Sequence, residues 1–312
     1  MDALGALLDG PRARGAFVLR SVMDPPWSLR IEDEAPLTVV ALVRGEASVL
    51  PDGGESVRLR RGDVAILRGP EHYTVADDSS TPPQVVIHPG QRCTTADGEA
   101  LSQMKEYAIR TWGNSPDGAT VMLTGTYQLD SEVSHRLLRV LPTLLVVNED
   151  TSDSPLIALL SEEIAKDEPG QEAVLDRLLD LLLIATLRAW LARTDTDAPG
   201  WYRAYSDPVV GRALRLLHHN PAHPWTVAAL ADATAMSRAG LARRFNDLVG
   251  EPPMTFLTEL RIALAADLLR EPGATLGSVA HKVGYGSPYA LSTAFKRVRG
   301  QSPQEHRAAA AP

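Results

Sequence analysis

An α+β chain, β-rich at first and helical afterwards, is what these 312 residues predict, on three observations. Short β-prone runs punctuated by Gly and Pro turns fill residues 15–130, apolar residues fall at helical spacing from Ser154 onward, and the last hundred residues repeat themselves at a fixed offset. The length suits two domains, and a hydrophobic fraction of 44% supplies their cores. The expected divisions are a β domain over residues 1–150, a helical segment with a linker over 151–200, and an all-helical domain over 201–312.

The strands come first. Leu37–Gly45, Ser56–Asp63 and Val64–Gly69 are separated by PDGG and RGPEH, as in a small antiparallel sandwich or barrel. From Ser154 the period changes. Leu156, Leu159, Leu160 and Ile164, then Val174, Leu178, Leu181, Leu182, Ala185 and Trp190, predict two helices on either side of DEPGQ. This stripe suits packing within its own domain or against a second subunit, and the stretch from Val174 to Trp190 carries more leucine than a lone surface helix needs. Residues 194–207, TDTDAPGWYRAYSD, read as a linker, and everything after Pro208 reads as helical.

Composition excludes several classes. No window reaches about 18 uninterrupted apolar residues, and the run from Leu178 to Ala192 is broken by Asp180 and Arg188, so no membrane span is expected. The start, MDALGALLDGPRARG, is unlike a secretory signal, and the single cysteine, Cys93, has no partner for an internal disulfide. A reducing cytoplasm is the expected location. The net charge of -8 is divided unevenly: residues 207–312 hold 12 Lys+Arg against 8 Asp+Glu, a net +4, while residues 1–206 hold 19 against 31, a net -12. Contacts to phosphate are therefore expected only from the second part.

The repeat has an offset of fifty residues at five landmarks: Ser237 and Ser287, Leu241 and Leu291, Phe245 and Phe295, Gly250 and Gly300, Pro253 and Pro303. In each copy a short helix, Val227–Ala233 or Leu276–Val283, begins after a threonine able to cap it, Thr226 or Thr275. A turn follows, and a longer helix starts at Ser237, or at Ser287 with Pro288 in the first helical position. Leu241, Phe245 and Leu248, like Leu291, Phe295 and Val298, fall on one predicted buried stripe, and Gly250 and Gly300 close the helices. This is the helix-turn-helix arrangement, whose second helix can enter the major groove of double-stranded DNA. Its outward faces carry Arg238, Arg243 and Arg244 in the first copy, and Lys296, Arg297 and Arg299 in the second. Between the copies, Pro253 to Arg270 predicts one amphipathic helix with Phe256, Leu260, Leu264 and Leu268 in register, about 27 Å long at 1.5 Å per residue. That approaches the roughly 34 Å between successive major-groove faces.

Residues 208–307 resemble the DNA-binding domain of the AraC/XylS family of bacterial transcription regulators, through WTVAALADATAMSRAGLARRFNDLVGEPPMTFLTELRIALAADLL and VAHKVGYGSPYALSTAFKRVRGQSPQEHR. The resemblance implies seven helices, with a linker helix joining two helix-turn-helix units, and a homodimeric, effector-controlled regulator; activation through RNA polymerase and repression both stay open. Carried over by position, it implies that Ser237, Arg238, Ala239, Ala242, Arg243 and Arg244 face DNA from the first recognition helix, with Arg243 the strongest base reader. From the second it implies Ser287, Pro288, Tyr289, Ser292, Thr293, Lys296 and Arg297. Thr293 stands where an arginine is frequent in this sub-group, so Lys296 and Arg297 are expected at phosphates rather than bases.

The segment Leu37 to Val75, with GDVAILRGPEH ending at His72, resembles the second motif of cupin barrels, and GTYQLDSEVSHRLLRVLPTLLVV resembles the end of the cupin-like sensor of one AraC sub-group. The resemblance implies a cupin-like β-barrel with flanking helices that holds an effector, here an unidentified small molecule. His72, on a strand whose alternate residues face the interior, and Cys93, whose neighbour Arg92 favours a thiolate, are the expected effector-contacting residues. The competing classes are a metal-dependent cupin enzyme and an architectural DNA-binding protein without an effector. Against the enzyme, the region Leu37 to Leu50 has no histidine, and His72 alone cannot hold a catalytic metal. No cofactor, metal or catalytic residue is therefore expected, and a site formed by His72, His88, Cys93 and His135 is left open.

Overall fold

A computed structural model describes residues 17–101, 104–127, 138, 141–148, 155–192, 204–205, 207–271 and 273–309. Contacts divide these into two compact units, residues 17–192 and residues 204–309.

The first unit holds strands β1 (Phe17–Met23), β2 (Ser28–Ile31), β3 (Leu37–Arg44), β4 (Glu46–Pro51), β5 (Val57–Arg60), β6 (Val64–Arg68), β7 (Tyr73–Ala76), β8 (Val85–His88), β9 (Arg92–Thr94), β10 (Lys105–Ala108), β11 (Thr111–Gly113), β12 (Thr120–Tyr127) and β13 (Leu144–Val147). They form a seven-stranded sheet in the order β10-β11-β1-β12-β3-β6-β13 and a six-stranded sheet in the order β5-β4-β7-β2-β8-β9. The three strands predicted from sequence are β3, β5 and β6. The cupin-like architecture holds as two jelly-roll-like sheets, which stay separate where a closed barrel was expected. The chain crosses between them after β3 at Gly45, whose φ of 77° is left-handed and whose Cβ, if it had one, would meet the Ala119 carbonyl oxygen at 2.7 Å.

Alternation along each strand sorts the side chains. Val40 and Leu42 of β3 enter a core between the sheets with Met23, Trp27, Leu59 and Met122, while Val39 and Ala41 are buried on the opposite face. That face is covered. Helix α2 (Gln171–Leu191) lies so close to β12 that a Cβ on Gly125 would meet Leu179 Cδ1 at 2.5 Å, and α1 (Leu156–Glu163) packs on α2 and β3. A sheet buried on both faces explains why β3 reads as a continuous apolar run. The inner stripe of α2 is Leu175, Leu179, Leu182, Thr186 and Leu187, one residue out of phase with the predicted one, so Val174 and Leu181 stand 44% and 50% exposed.

The second unit contains seven helices among its described residues from Val210 onward: α3 (Val210–His219), α4 (Val227–Ala233), α5 (Arg238–Val249), α6 (Pro253–Arg270), α7 (Leu276–Lys282), α8 (Pro288–Arg299) and α9 (Pro303–Ala309). They enclose two cores. Leu214, Leu230, Leu241 and Phe245 fill the first with Phe256, Leu257 and Leu260; Val279, Leu291 and Phe295 fill the second with Ile262, Ala265, Ala266 and Leu269. Helix α6 thus serves a different core with each half. Its apolar face turns midway, which is why Leu264 and Leu268, predicted in register with Phe256, are only partly buried against the cores. Val298, predicted on the buried stripe of α8, is 38% exposed.

Candidate nucleic-acid interface

Each of the four helices that build the helix-turn-helix units begins with the predicted cap. The side-chain oxygens of Thr226, Ser237, Thr275 and Ser287 accept hydrogen bonds from the amides of Ala229, Gly240, Ser278 and Ala290 at 3.1 to 3.2 Å. Gly250 and Gly300 end α5 and α8 in the left-handed conformation. The role given to Ser237 and Ser287 is therefore at least structural: each hydroxyl is already engaged in fixing the start of a recognition helix.

The two turns are related but not identical. The Met236 amide donates to the Ala231 carbonyl at 3.0 Å, and the Tyr285 amide to the Ala280 carbonyl at 2.8 Å, so these positions correspond at an offset of 49. From Ser237 and Ser287 the offset is 50, and the added residue in the second turn is Gly286. The left-handed position is Ala235 (φ 52°) in the first turn and Gly284 (φ 82°) in the second. A Cβ on Gly284 would meet the Ala222 carbonyl oxygen at 2.5 Å, because the second turn packs on the loop between α3 and α4. Arg261 of α6 binds that loop through Nε to the Pro221 carbonyl (2.7 Å) and Nη2 to the His223 carbonyl (2.8 Å), with its guanidinium 5.8 Å from the Tyr285 ring centroid. The two units are held to one another by these contacts as well as by α6.

On α5, Arg238, Ala239, Arg243 and Arg244 are exposed and Ala242 is half-buried; on α8, Pro288, Tyr289, Thr293, Lys296 and Arg297 are exposed and Ser292 is half-buried. Tyr289, an aromatic ring, stands 82% exposed. Arg238, Arg243, Lys296 and Arg297 form no ion pair within 4 Å among the described residues, whereas Arg244 donates through Nε (3.0 Å) and Nη2 (2.5 Å) to Asp207 Oδ2. Asp207 Oδ1 in turn accepts from the amides of Val209 and Val210 at 3.0 and 2.9 Å. Burial works to raise the Asp207 pKa, but Arg244 and the two amides outweigh it and hold the carboxyl below its ordinary range. Sequence spacing marked Arg244 as a DNA contact; a partner 37 residues away was not visible to it.

Between the two sheets of the first unit lies a small cavity of about 30 Å³, lined by Leu29, Ile31, Val75, Met122, Trp112 and Tyr73 among others. Neither His72 nor Cys93 lines it. Strand β7 begins at Tyr73, so alternation sends Tyr73 and Val75 inward and leaves His72 outside, its Nδ1 3.9 Å from Glu32 Oε1. Cys93 pairs with Ile87 across β8 and β9 and packs at the edge of the core, with Sγ 3.6 Å from the Gln91 carbonyl. Burial pushes its thiol pKa up, the opposite of the thiolate expected from Arg92. His88 Nε2 is 3.0 Å from Thr94 Oγ1, His135 lies outside the described residues, and among the described residues no three His, Cys, Asp or Glu side chains gather as metal ligands. Asp33 and Gln91, which do line the cavity, were not singled out from sequence, and no motif marks them.

Residues 2–192 match the family described as Cupin, and residues 230–309 that described as Helix-turn-helix domain. A Streptomyces lividans protein named as an AraC-like transcription regulator is 34% identical over 312 residues, covering 98% of each chain. The HTH-type transcriptional regulator AlkR of Acinetobacter baylyi is 27% identical over 316 residues, covering 98% of this chain and 99% of that one. Among solved structures, the DNA-binding domain of AdpA in complex with a target DNA is 35% identical, covers 33% of this chain and 92% of that chain, and gives a TM-score of 0.31.

Proposed function

This chain belongs to the AraC family of transcription regulators, with a cupin as its first half, and from that premise we propose that it reads a two-part DNA site as a homodimer under the control of a small-molecule effector. In this reading residues 1–150 sense, residues 151–200 join the subunits and link the domains, and residues 201–312 bind DNA. The observation that carries it is the pair of exposed recognition helices on one helical body, offering Arg238 and Arg243 from α5 and Lys296 and Arg297 from α8 in no ion pair within 4 Å among the described residues. Helix α6 between them, 18 residues and so about 27 Å long at 1.5 Å per residue, approaches the spacing of adjacent major grooves on one side of the DNA. The names of the relatives favour regulation over the enzymatic and architectural alternatives. Exposed Leu159, Val174 and Leu181 support a subunit contact through α1 and α2. Among the described residues no helix is long and apolar enough to cross a membrane. Action in the cytoplasm completes the proposal.

Selection of DNA from a random pool with the full chain tests it. Enrichment of a site with two parts about 10 base pairs apart is expected, and failure to enrich any sequence over random DNA overturns it. Sedimentation of the parent chain as a monomer at micromolar concentration, or a folded Leu181→Glu variant that remains dimeric, overturns the subunit contact through α2.

A further inference from the structure

Helix α6 is shared by the two helix-turn-helix units, and it passes from one core to the other within two residues: Leu260 is buried in the first and Ile262 in the second. Two small cores joined end to end by one helix are free to twist about its middle unless a further contact ties them. Arg261 lies at that changeover. Half-buried, it reaches the loop between α3 and α4, where Nε donates to the Pro221 carbonyl at 2.7 Å and Nη2 to the His223 carbonyl at 2.8 Å. The receiving loop is itself braced. The Trp225 indole N–H donates to the Asn220 carbonyl at 2.9 Å and the Trp225 amide to the His223 carbonyl at 2.7 Å, while the His223 and Trp225 rings meet edge to face with centroids 4.3 Å apart. Thr226, the next residue, caps α4. The same guanidinium lies 5.8 Å from the centroid of the Tyr285 ring, two residues before the Ser287 cap of α8, and beside it Gly284 packs on Ala222 with no room for a Cβ. One planar fork thus joins the entry to the first unit with the turn that leads into the second recognition helix.

We propose that Arg261 is a positioning residue for DNA reading: it fixes the twist between the two units, so that α5 and α8 meet the duplex at one separation and the protein accepts one spacing between the two parts of its site. The inference rests on the two-part reading above and names the residue that sets the spacing. A guanidinium suits the task because its donors stand at fixed angles in a plane, so two carbonyls bound to it are held in direction as well as distance; a lysine ammonium holds them from a single point. Duplex geometry makes the lock measurable. One base pair added between the parts moves the second by about 3.4 Å and turns it by about 35°. A rigid pair of helices then loses the base contacts of one unit, whereas a pair free to twist follows the shifted bases.

The test is binding of the full chain to a site recovered by selection, and to versions of it with one base pair added or removed between the parts, for the parent, Arg261→Met and Arg261→Lys, with thermal unfolding as the check on folding. The parent is expected to lose at least about tenfold on either altered spacing, the effect of one or more mismatched base pairs. Arg261→Met, which keeps the stem and removes the fork, should reduce that loss to about threefold or less. Its affinity for DNA carrying either part alone should stay that of the parent, which separates loosened geometry from a damaged unit. If Arg261→Met does not fold, Arg261→Lys should show the same change to a smaller degree; if neither folds, the fork serves the fold alone and the proposal is overturned. It is also overturned if the parent binds all three spacings equally, if folded Arg261→Met keeps the parent's preference for one spacing, or if that variant weakens every site, single parts included, by one factor. The two-part reading fails separately. Selection that enriches a one-part site overturns that reading and the lock with it, whereas a two-part site whose spacing preference survives in Arg261→Met overturns the lock alone.

Discussion

The two helix-turn-helix units are built on one plan and differ where they touch other things. Leu241 and Phe245 occupy the places of Leu291 and Phe295, all fully buried, and the four caps and two terminal glycines correspond. The repeat is thus in the scaffold. The turns and outward faces have diverged: Ala235 against Gly284, Arg243 against Thr293, and Arg244, held by Asp207, against Ala294, which is buried. The first unit puts arginines at the start and middle of its recognition helix, while the second puts Tyr289 near the start and its cations, Lys296, Arg297 and Arg299, in the last turns. Positions facing the interior are constrained by packing in both copies, whereas positions facing outward were free to take separate tasks.

The sharpest way to break this comparison is to exchange the residues of the two turns. Gly284→Ala places a Cβ in the left-handed region, 2.5 Å from the Ala222 carbonyl oxygen, a backbone atom held in place by Arg261 on the neighbouring residues. Strain and overlap together should cost about 3 kcal/mol or more of stability in the helical unit. Ala235→Gly relieves a left-handed alanine and should be neutral or stabilising by up to about 1 kcal/mol, because the flexibility of glycine in the unfolded chain offsets part of the gain. Denaturant unfolding of the full chain, followed by amide exchange in α4 and α7, distinguishes the two. Equal costs would mean that the turns are not the asymmetric pair seen here.

A smaller effect sharpens the comparison of the outward faces. Arg243, exposed and in no ion pair among the described residues, has the fork needed for a two-bond contact to guanine, and Thr293 has a single hydroxyl. Arg243→Ala should therefore weaken binding to the selected site by about 1 to 3 kcal/mol and relax its sequence preference, while Thr293→Ala costs less. Titrations on selected and random DNA check this. If Arg243→Ala weakens both equally, the arginine is a phosphate contact and the two units divide their work differently.

What could be read from the sequence was local. Ser237 and Ser287 announce helix starts because the residue type, the capped amide and the apolar stripe lie within one or two turns of each other. The extra Gly286 escaped because all five landmarks of the repeat begin at or after Ser237, where the offset has already become 50. Helix α6 was placed correctly, but its one apolar register was half right, since packing on two cores rotates the buried face along the helix. In the sheets, a shift of one residue sends a side chain to the opposite face, and the start of β7 at Tyr73 was enough to exchange His72 for Tyr73 in the cavity. Asp33 and Gln91 carry no signal in sequence: they line the cavity because β2, β7 and β8 converge there.

The contact with the least expected effect is also one the second unit has no counterpart for. Asp207 ties the first amides of α3 to Arg244 on the recognition helix, so one carboxylate joins the start of α3 to the outward face of α5. Its pKa lies below the ordinary carboxylate value, since Arg244 and the amides of Val209 and Val210 favour the ionised form by more than burial disfavours it. A depressed folded-state pKa contributes stability that is fully present above the unfolded value, near pH 4, and is lost as the pH falls through the lower folded value. Arg244 is exposed, so the contribution is small and screened by salt. Carbon-detected titration of the Asp207 carboxyl in the full chain should give a midpoint below the ordinary value. Arg244→Ala should raise that midpoint part of the way back, because the two amides remain, and Asp207→Asn should remove the corresponding acid-side loss of stability in the helical unit. An ordinary midpoint in the parent chain would break the link between α3 and α5, and would leave Arg244 free for DNA in the way its position on the recognition helix first implied.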